Sequence, residues 1–157
     1  MAIATATKKS INQDFGIVIN STTNQVFGVA VADGLGSFYK AEEASRMVCE
    51  SIQQQIPDRK INHLLDFKGL FQQAEKDLIA AVSKQEGWLE EMPNPSQAFG
   101  TTLICALEFE ELIRVGYLGN GAIFHLRGNF NDFPQSILLP WNSLNYLNPH
   151  TISLNGK

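Results

Sequence analysis

Residues 26–36 read Val26-Phe-Gly-Val-Ala-Val-Ala-Asp33-Gly34-Leu-Gly36. The apolar, β-branched first part is typical of a buried strand, and the two glycines permit backbone angles that other residues resist. Asp33 stands where this strand ends, and no neighbouring side chain blocks the approach of the peptide carbonyls, so its carboxylate is suited to holding a cation. The alternative is a tight turn with a solvated Asp33, because Asp-Gly is a common turn signal.

The composition is that of a globular protein. The chain has 157 residues, of which 44% are hydrophobic and 18% are charged, enough for one domain with its own core. The net charge of -4 argues against a nucleic-acid partner. The sequence contains neither an apolar stretch of membrane-spanning length nor a secretion signal. Since Cys49 and Cys105 are expected to be buried free thiols, we predict a cytoplasmic protein without a membrane partner.

Hydrophobic periodicity predicts strands, then two helices, then further strands. The predicted elements are strands Phe15–Ile19 and Gln25–Ala32, helices over about Ala41–Ile56 and Asp66–Gln85, and strands Gly100–Leu107, Leu112–Leu118, Ala122–Leu126 and Ile137–Leu139. Polar residues Asn20–Asn24 predict a hairpin turn, and acidic residues Glu108–Glu111 predict a second, solvated hairpin tip. The fold class is therefore α+β, with antiparallel sheet layers and a helix pair packed on one face.

Four short motifs occur in a fixed order along the chain. They are Asn12-Gln13-Asp14, Asp33-Gly34-Leu35-Gly36, Phe99-Gly-Thr-Thr-Leu103 and Gly119-Asn120-Gly121. Together they resemble the metal-dependent protein phosphatases of type 2C. That family carries an Asn-Glu-Asp-like triplet, a Val-Ala-Asp-Gly-Met-Gly-like turn, a Gly-Thr-Thr strand and a Gly-Asp-Ser-like turn. The resemblance covers about Lys9 to Leu139 and identifies residues 1–157 as the N-terminal portion of a single domain.

The resemblance implies an αββα sandwich of antiparallel sheets flanked by helix pairs, incomplete here at the C-terminus. It also implies a binuclear Mg²⁺ or Mn²⁺ centre in a cleft between the sheets. A metal-activated water there would hydrolyse phosphoserine or phosphothreonine in a phosphoprotein substrate, without a covalent phosphoenzyme. Two-metal hydrolysis lowers the pKa of the water and neutralises the phosphoryl oxygens. Hard oxygen ligands suit both ions.

Five positions match functional residues of that family. Asp33 matches the carboxylate that bridges both metals, and the carbonyl of Gly34 matches a ligand to one of them. Asp14 matches an acid that holds metal-bound waters, so the resemblance assigns it to both the metal site and catalysis. Lys9 falls where the family often has a phosphate-gripping arginine. Asn120 stands where the family usually has an aspartate that helps to hold a further metal or its waters.

The chain also departs from the family pattern. Gln13 replaces the acidic residue of the triplet, Asn120 brings no charge, and Lys9 lacks the bidentate fork of arginine. The sequence ends at Lys157, before the Ser-Asp-Gly-type aspartate and the final aspartate that supply the remaining metal ligands, and Asp132 matches neither. We therefore expect the 157-residue chain alone to be inactive, and to self-associate through exposed sheet edges.

Two alternatives stay open. The chain can be a fragment of a complete phosphatase, or a natural truncation that acts as a pseudophosphatase, a non-catalytic interaction module in signalling. A catalytic thiol is the weakest hypothesis, because neither cysteine has a partnered histidine. His125 is expected to pack within a strand rather than to bind metal, and Trp141 and Tyr146 are expected to belong to a structured loop.

Overall fold

The computed structural model describes residues 3–4, 11–57, 59, 65–84, 99–119, 123–125 and 136–138. In chain order its elements are β1 (Asp14–Ser21), β2 (Val26–Asp33), α1 (Ala41–Gln55), α2 (Phe67–Ser83), β3 (Leu103–Phe109), β4 (Leu112–Leu118), β5 (Ile123–His125) and β6 (Ser136–Leu138). The predicted α+β class is confirmed. No helix in these ranges is long and apolar enough to cross a membrane.

Strands β1 to β4 form one antiparallel sheet in the order β1-β2-β3-β4, and β5 pairs with β6 in a separate two-stranded sheet. The turn between β1 and β2 is joined to the end of α1. Its Asn24 side chain donates from Nδ2 to the carbonyl oxygens of Ile56, Pro57 and Arg59, at 2.7, 3.2 and 3.0 Å. The last carbonyls of a helix lack partners within the helix, so Asn24 links the turn to the C-terminal end of α1 and satisfies the carbonyl of its C-cap residue, Ile56.

The core lies between this sheet and the two helices. Along β2, even-numbered residues are buried and odd-numbered ones are mostly exposed, which is the alternation of a sheet covered on one face. Helix α1 lies on β1 and β2, and α2 packs against α1. The largest buried side chains of the core are Ile19, Val26, Val48, Ile52, Ile56, Leu70, Leu78, Val82, Phe99, Leu103 and Leu107. The predicted helix pair on one face is confirmed.

The opposite face of the sheet, which we call the open face, is also apolar. The register places five large exposed side chains there, and Ile113 is the most exposed of them at 67%. The others are Val18, Phe27, Val31 and Tyr117. Contiguous apolar patches on soluble domains are usually small unless they form an interface. Among the described residues, the helices cover one face of the four-stranded sheet and the open face presents exposed apolar side chains.

Several boundaries differ from the prediction. Strand β2 runs through Asp33, so this residue belongs to the strand and not to a solvated turn after it. Strand β3 begins at Leu103 rather than Gly100 and continues through Glu108 to Phe109. Only Glu110 and Glu111 remain in the hairpin tip, both with left-handed backbone at φ 48° and 61°. The predicted loop over 86–98 lies outside the described residues.

Candidate metal centre

Asp14 and Asp33 lie directly opposite each other in β1 and β2. The N–H of Gly34 donates to the carbonyl oxygen of Gln13 at 2.9 Å, so the adjacent Gln13–Gly34 pair is the hydrogen-bonded one. Asp14 and Asp33 therefore form a non-hydrogen-bonded pair, whose side chains share a face with Cβ atoms about 5 Å apart. They lie on the open face, Asp14 half-buried and Asp33 exposed. Carboxylates at this spacing can share one cation.

Gly34 is buried against the start of α1. A Cβ at this position would lie 2.7 Å from the carbonyl carbon of Ala41 and 2.8 Å from the carbonyl oxygen of Gln13. Gly34 and Gly36 do not have positive φ, so the prediction that these glycines supply unusual backbone angles is wrong. Glycine is required at position 34 because two backbone carbonyl groups approach it too closely for any side chain.

The backbone of Asp33 is held by two buried threonines that follow Gly100. Its N–H donates to Thr102 Oγ1 at 3.0 Å. Its carbonyl oxygen accepts from the N–H of Thr102 at 2.9 Å and from Thr101 Oγ1 at 3.0 Å. The sequence signal for this contact is the Gly-Thr-Thr motif, which by itself gives neither threonine an individual role.

The backbone around Asp14 is held by two other polar side chains. The N–H of Asp14 donates to Asn12 Oδ1 at 3.1 Å, which forms an Asx turn. Ser45 is buried in α1, and its hydroxyl contacts the carbonyl oxygens of Gln13 at 2.7 Å and Glu42 at 3.0 Å. Helix α1 therefore contacts the strand end that carries Asp14.

The segment after Asp33 is bonded to the segment before β3. The N–H of Leu35 donates to the carbonyl oxygen of Gly100 at 2.9 Å, and that of Phe99 to the carbonyl oxygen of Tyr39 at 3.0 Å. Lys40 and Phe99 both adopt left-handed backbone, at φ 53°. Such conformations cost non-glycine residues about 1 kcal/mol or more and cluster at functional sites. The surrounding bonds therefore keep this end of the sheet in one arrangement.

The sequence model of the family described as protein phosphatase 2C matches residues 4–137. This chain belongs to the protein phosphatase 2C family. The matched range contains all four motifs and both carboxylates of the candidate centre. No curated protein and no solved structure matches the chain.

The protein phosphatase 2C chain offers oxygen donors at this centre. They are the carboxylates of Asp14 and Asp33 and the carbonyl of Gly34, and oxygen is the donor that Mg²⁺ and Mn²⁺ prefer. Among the described residues, no group of three or more His, Cys, Asp or Glu side chains is arranged to hold a metal. The donor type fits the implied ions, but these donors are fewer than the six that octahedral Mg²⁺ requires.

Lys9 and Asn120 lie outside the described residues, as do Asp132, Trp141, Tyr146 and the side chain of His125. Their roles stay predictions.

Both cysteines are buried free thiols, as predicted. Burial raises the pKa of Cys49 to about 12, with a smaller contribution from neighbouring Cys105. Burial also raises the pKa of Cys105 to about 12. Only the thiolate is nucleophilic, and thiols with these pKa values are protonated at neutral pH. Burial and these raised pKa values therefore argue against the catalytic-thiol hypothesis.

Proposed function

We propose that this protein phosphatase 2C chain provides part of the centre for hydrolysis of phosphoserine and phosphothreonine in proteins. The observation that supports the proposal best is the Asp14–Asp33 pair. Like charges placed directly opposite each other destabilise an antiparallel sheet. A divalent cation between them would replace this repulsion by attraction to both. Family membership supplies the reaction class.

Each residue has a distinct role in this proposal. Asp33 and the carbonyl of Gly34 would hold the Mg²⁺ or Mn²⁺ ions as metal ligands. Asp14 would accept hydrogen bonds from metal-bound waters and orient them. Lys9 would offer positive charge to the phosphoryl group, and Asn120 would hold water. The ions, when bound, lower the pKa of the attacking water and neutralise the phosphoryl oxygens.

The test measures both Mn²⁺ binding and phosphate release. We expect Mn²⁺, followed by electron paramagnetic resonance of the free ion, to bind the 157-residue chain saturably with a weak Kd of roughly 1 mM, typical of sites with few charged ligands. We expect no release of phosphate from a phosphothreonine peptide by this chain. A longer polypeptide with two further aspartates in Ser-Asp-Gly and Asp-Asn contexts should release phosphate from the same peptide. A chain without saturable Mn²⁺ binding would contradict the proposal.

A second candidate function is a non-catalytic interaction module. It is favoured by the open face, where apolar side chains stand exposed on neighbouring strands. A signalling partner or a second copy of the chain could bury them. The cytoplasmic location stays a prediction for both candidates. Peptide dephosphorylation by the longer polypeptide distinguishes them, since a module of this kind binds partners without turnover in a longer chain as well.

Self-association through the open face and sheet edges gives a separate prediction. Size-exclusion chromatography with light scattering should give at least twice the chain mass of 17.4 kDa. Ile113→Lys should restore the monomer, because this side chain is 67% exposed on the open face. Ile79→Lys makes the same change on α2, where Ile79 is 36% exposed, and should leave the mass unchanged. A monodisperse, folded wild-type monomer would rule out this association.

A further inference from the structure

We infer that Thr102, assisted by Thr101, is a positioning residue that fixes the backbone of Asp33 and thereby the place of its carboxylate. The inference rests on the proposed function only in making that carboxylate a metal ligand. Neither threonine is proposed to contact the metal or the substrate. Both act through Asp33, from a segment 68 and 69 residues further along the chain.

The first argument comes from the strand register. Continuing the β2–β3 pairs, in which Val31 faces Ile104, places Asp33 opposite Thr102. In a regular ladder two such residues exchange both of their N–H to carbonyl bonds. One bond is present, from the N–H of Thr102 to the carbonyl oxygen of Asp33 at 2.9 Å. In place of the other, the N–H of Asp33 donates to Thr102 Oγ1 at 3.0 Å.

A side-chain hydroxyl therefore replaces a ladder bond at the residue that carries the carboxylate. The replacement coincides with a break in the ladder between β3, which begins at Leu103, and the isolated bridge between Gly34 and Thr101, which keeps the same register. Because Asp33 and Asp14 are a non-hydrogen-bonded pair, the polar backbone groups of Asp33 face β3. The orientation of this peptide depends on the segment that contains Thr101 and Thr102.

The second argument comes from burial. Thr101 is 0% and Thr102 is 4% exposed. Valine would fill nearly the same volume with no polar group to satisfy, and it favours strands equally well. A buried hydroxyl must be hydrogen-bonded. Both hydroxyls meet this need at Asp33, while Thr101 Oγ1 also contacts the carbonyl oxygen of Thr102 at 3.0 Å.

The third argument is electrostatic. Two carboxylates opposite each other repel, so the strand ends that carry them tend to separate. The Thr102 hydroxyl restrains one end and the Ser45 hydroxyl the other, through the carbonyl oxygen of Gln13. A cation-binding pair held by its backbone is pre-organised, so less of the binding free energy is lost in bringing the ligands together.

The experiment compares Thr102→Val with Thr102→Ser. In metal-free protein, we expect Thr102→Val to speed hydrogen exchange of the Asp33 amide about tenfold relative to the Ala30 amide, through loss of one hydrogen bond. Mn²⁺ affinity should fall about tenfold, the loss typical of residues that orient metal ligands. Thr102→Ser keeps the hydroxyl and should retain the wild-type exchange rate of the Asp33 amide and the wild-type Mn²⁺ affinity. Thr101→Val should have the smaller effect, because the carbonyl oxygen of Asp33 still accepts from the N–H of Thr102.

Ser51→Ala is the matched control. Its hydroxyl is also buried and hydrogen-bonded, to Asp77, but it lies ten residues along α1 from Ala41. Ser51→Ala should lower the melting temperature without changing the exchange rate of the Asp33 amide or the Mn²⁺ affinity. Equal Asp33 exchange in wild type, Thr102→Val and Thr101→Val would overturn the inference, as would failure of Thr102→Ser to rescue. Absence of Mn²⁺ binding by the wild type would overturn the proposed function instead, since the exchange rates are measured without metal.

Discussion

Replacing Asp33 with asparagine should abolish saturable Mn²⁺ binding while leaving the fold intact. The substitution removes the carboxylate charge but keeps the size of the side chain. Asp33 is exposed at the end of β2, so the core is unaffected. Loss of a residue that only orients a ligand costs metal affinity 10- to 100-fold, and loss of the ligand itself should cost more than about 100-fold.

The measurement is a Mn²⁺ titration of both proteins, followed by electron paramagnetic resonance, with circular dichroism to verify folding. Glu108→Gln is the control. It removes one negative charge from the same face of the sheet, at a distance of roughly 20 Å along the strands. If both variants weaken binding equally, the ion responds to overall charge and not to Asp33. Unchanged affinity in Asp33→Asn would refute the assignment of this carboxylate.

Gly34→Ala should cause the largest loss of stability in this region. The added Cβ would lie 2.7 Å from the carbonyl carbon of Ala41 and 2.8 Å from the carbonyl oxygen of Gln13, and both neighbours are backbone atoms. Either α1 or the end of β1 has to move. We expect a loss of about 3 kcal/mol in the free energy of unfolding. For a domain of this size that lowers the melting temperature by roughly 10 °C.

Thermal unfolding followed by circular dichroism measures this effect. Gly36→Ala belongs to the same motif, but Gly36 is exposed and has no positive φ, so its change should stay within about 0.5 kcal/mol. Similar losses for the two variants would mean that the close approach of the two carbonyl groups to Gly34 does not limit stability. Because Gly34→Ala displaces the strand ends, it should also weaken Mn²⁺ binding.

Much of the fold could be predicted from hydrophobic periodicity. Strand β4 has the predicted bounds, Leu112–Leu118, and α1 ends one residue before the predicted Ile56. The start of β3 could not be predicted. Thr101 and Thr102 have high strand propensity, yet their hydroxyls bond the backbone of Asp33 and interrupt the ladder. Periodicity carries no information about a side chain that replaces a backbone donor or acceptor.

The resemblance proposes residues for the candidate site, whereas the geometry of those residues comes only from the fold. The resemblance assigned Asp14 and Asp33 to the centre, and their pairing depends on the register of the β1–β2 hairpin. The register follows from the turn, which the sequence located at Asn20–Asn24, whereas β1 continues through Ser21. A shift of one residue changes which side chains are opposite. The roles of Ser45 and Thr102 depend on contacts between distant segments, which a single sequence does not reveal.

The buried thiols have a consequence for oxidative stress. A cysteine thiolate attacks hydrogen peroxide as the nucleophile, so oxidation of cysteine follows thiolate character and exposure. Cys49 and Cys105 are the two cysteines of the chain, and both have pKa values of about 12. Peroxide concentrations that silence enzymes with a reactive cysteine should therefore leave both thiols of this chain unoxidised.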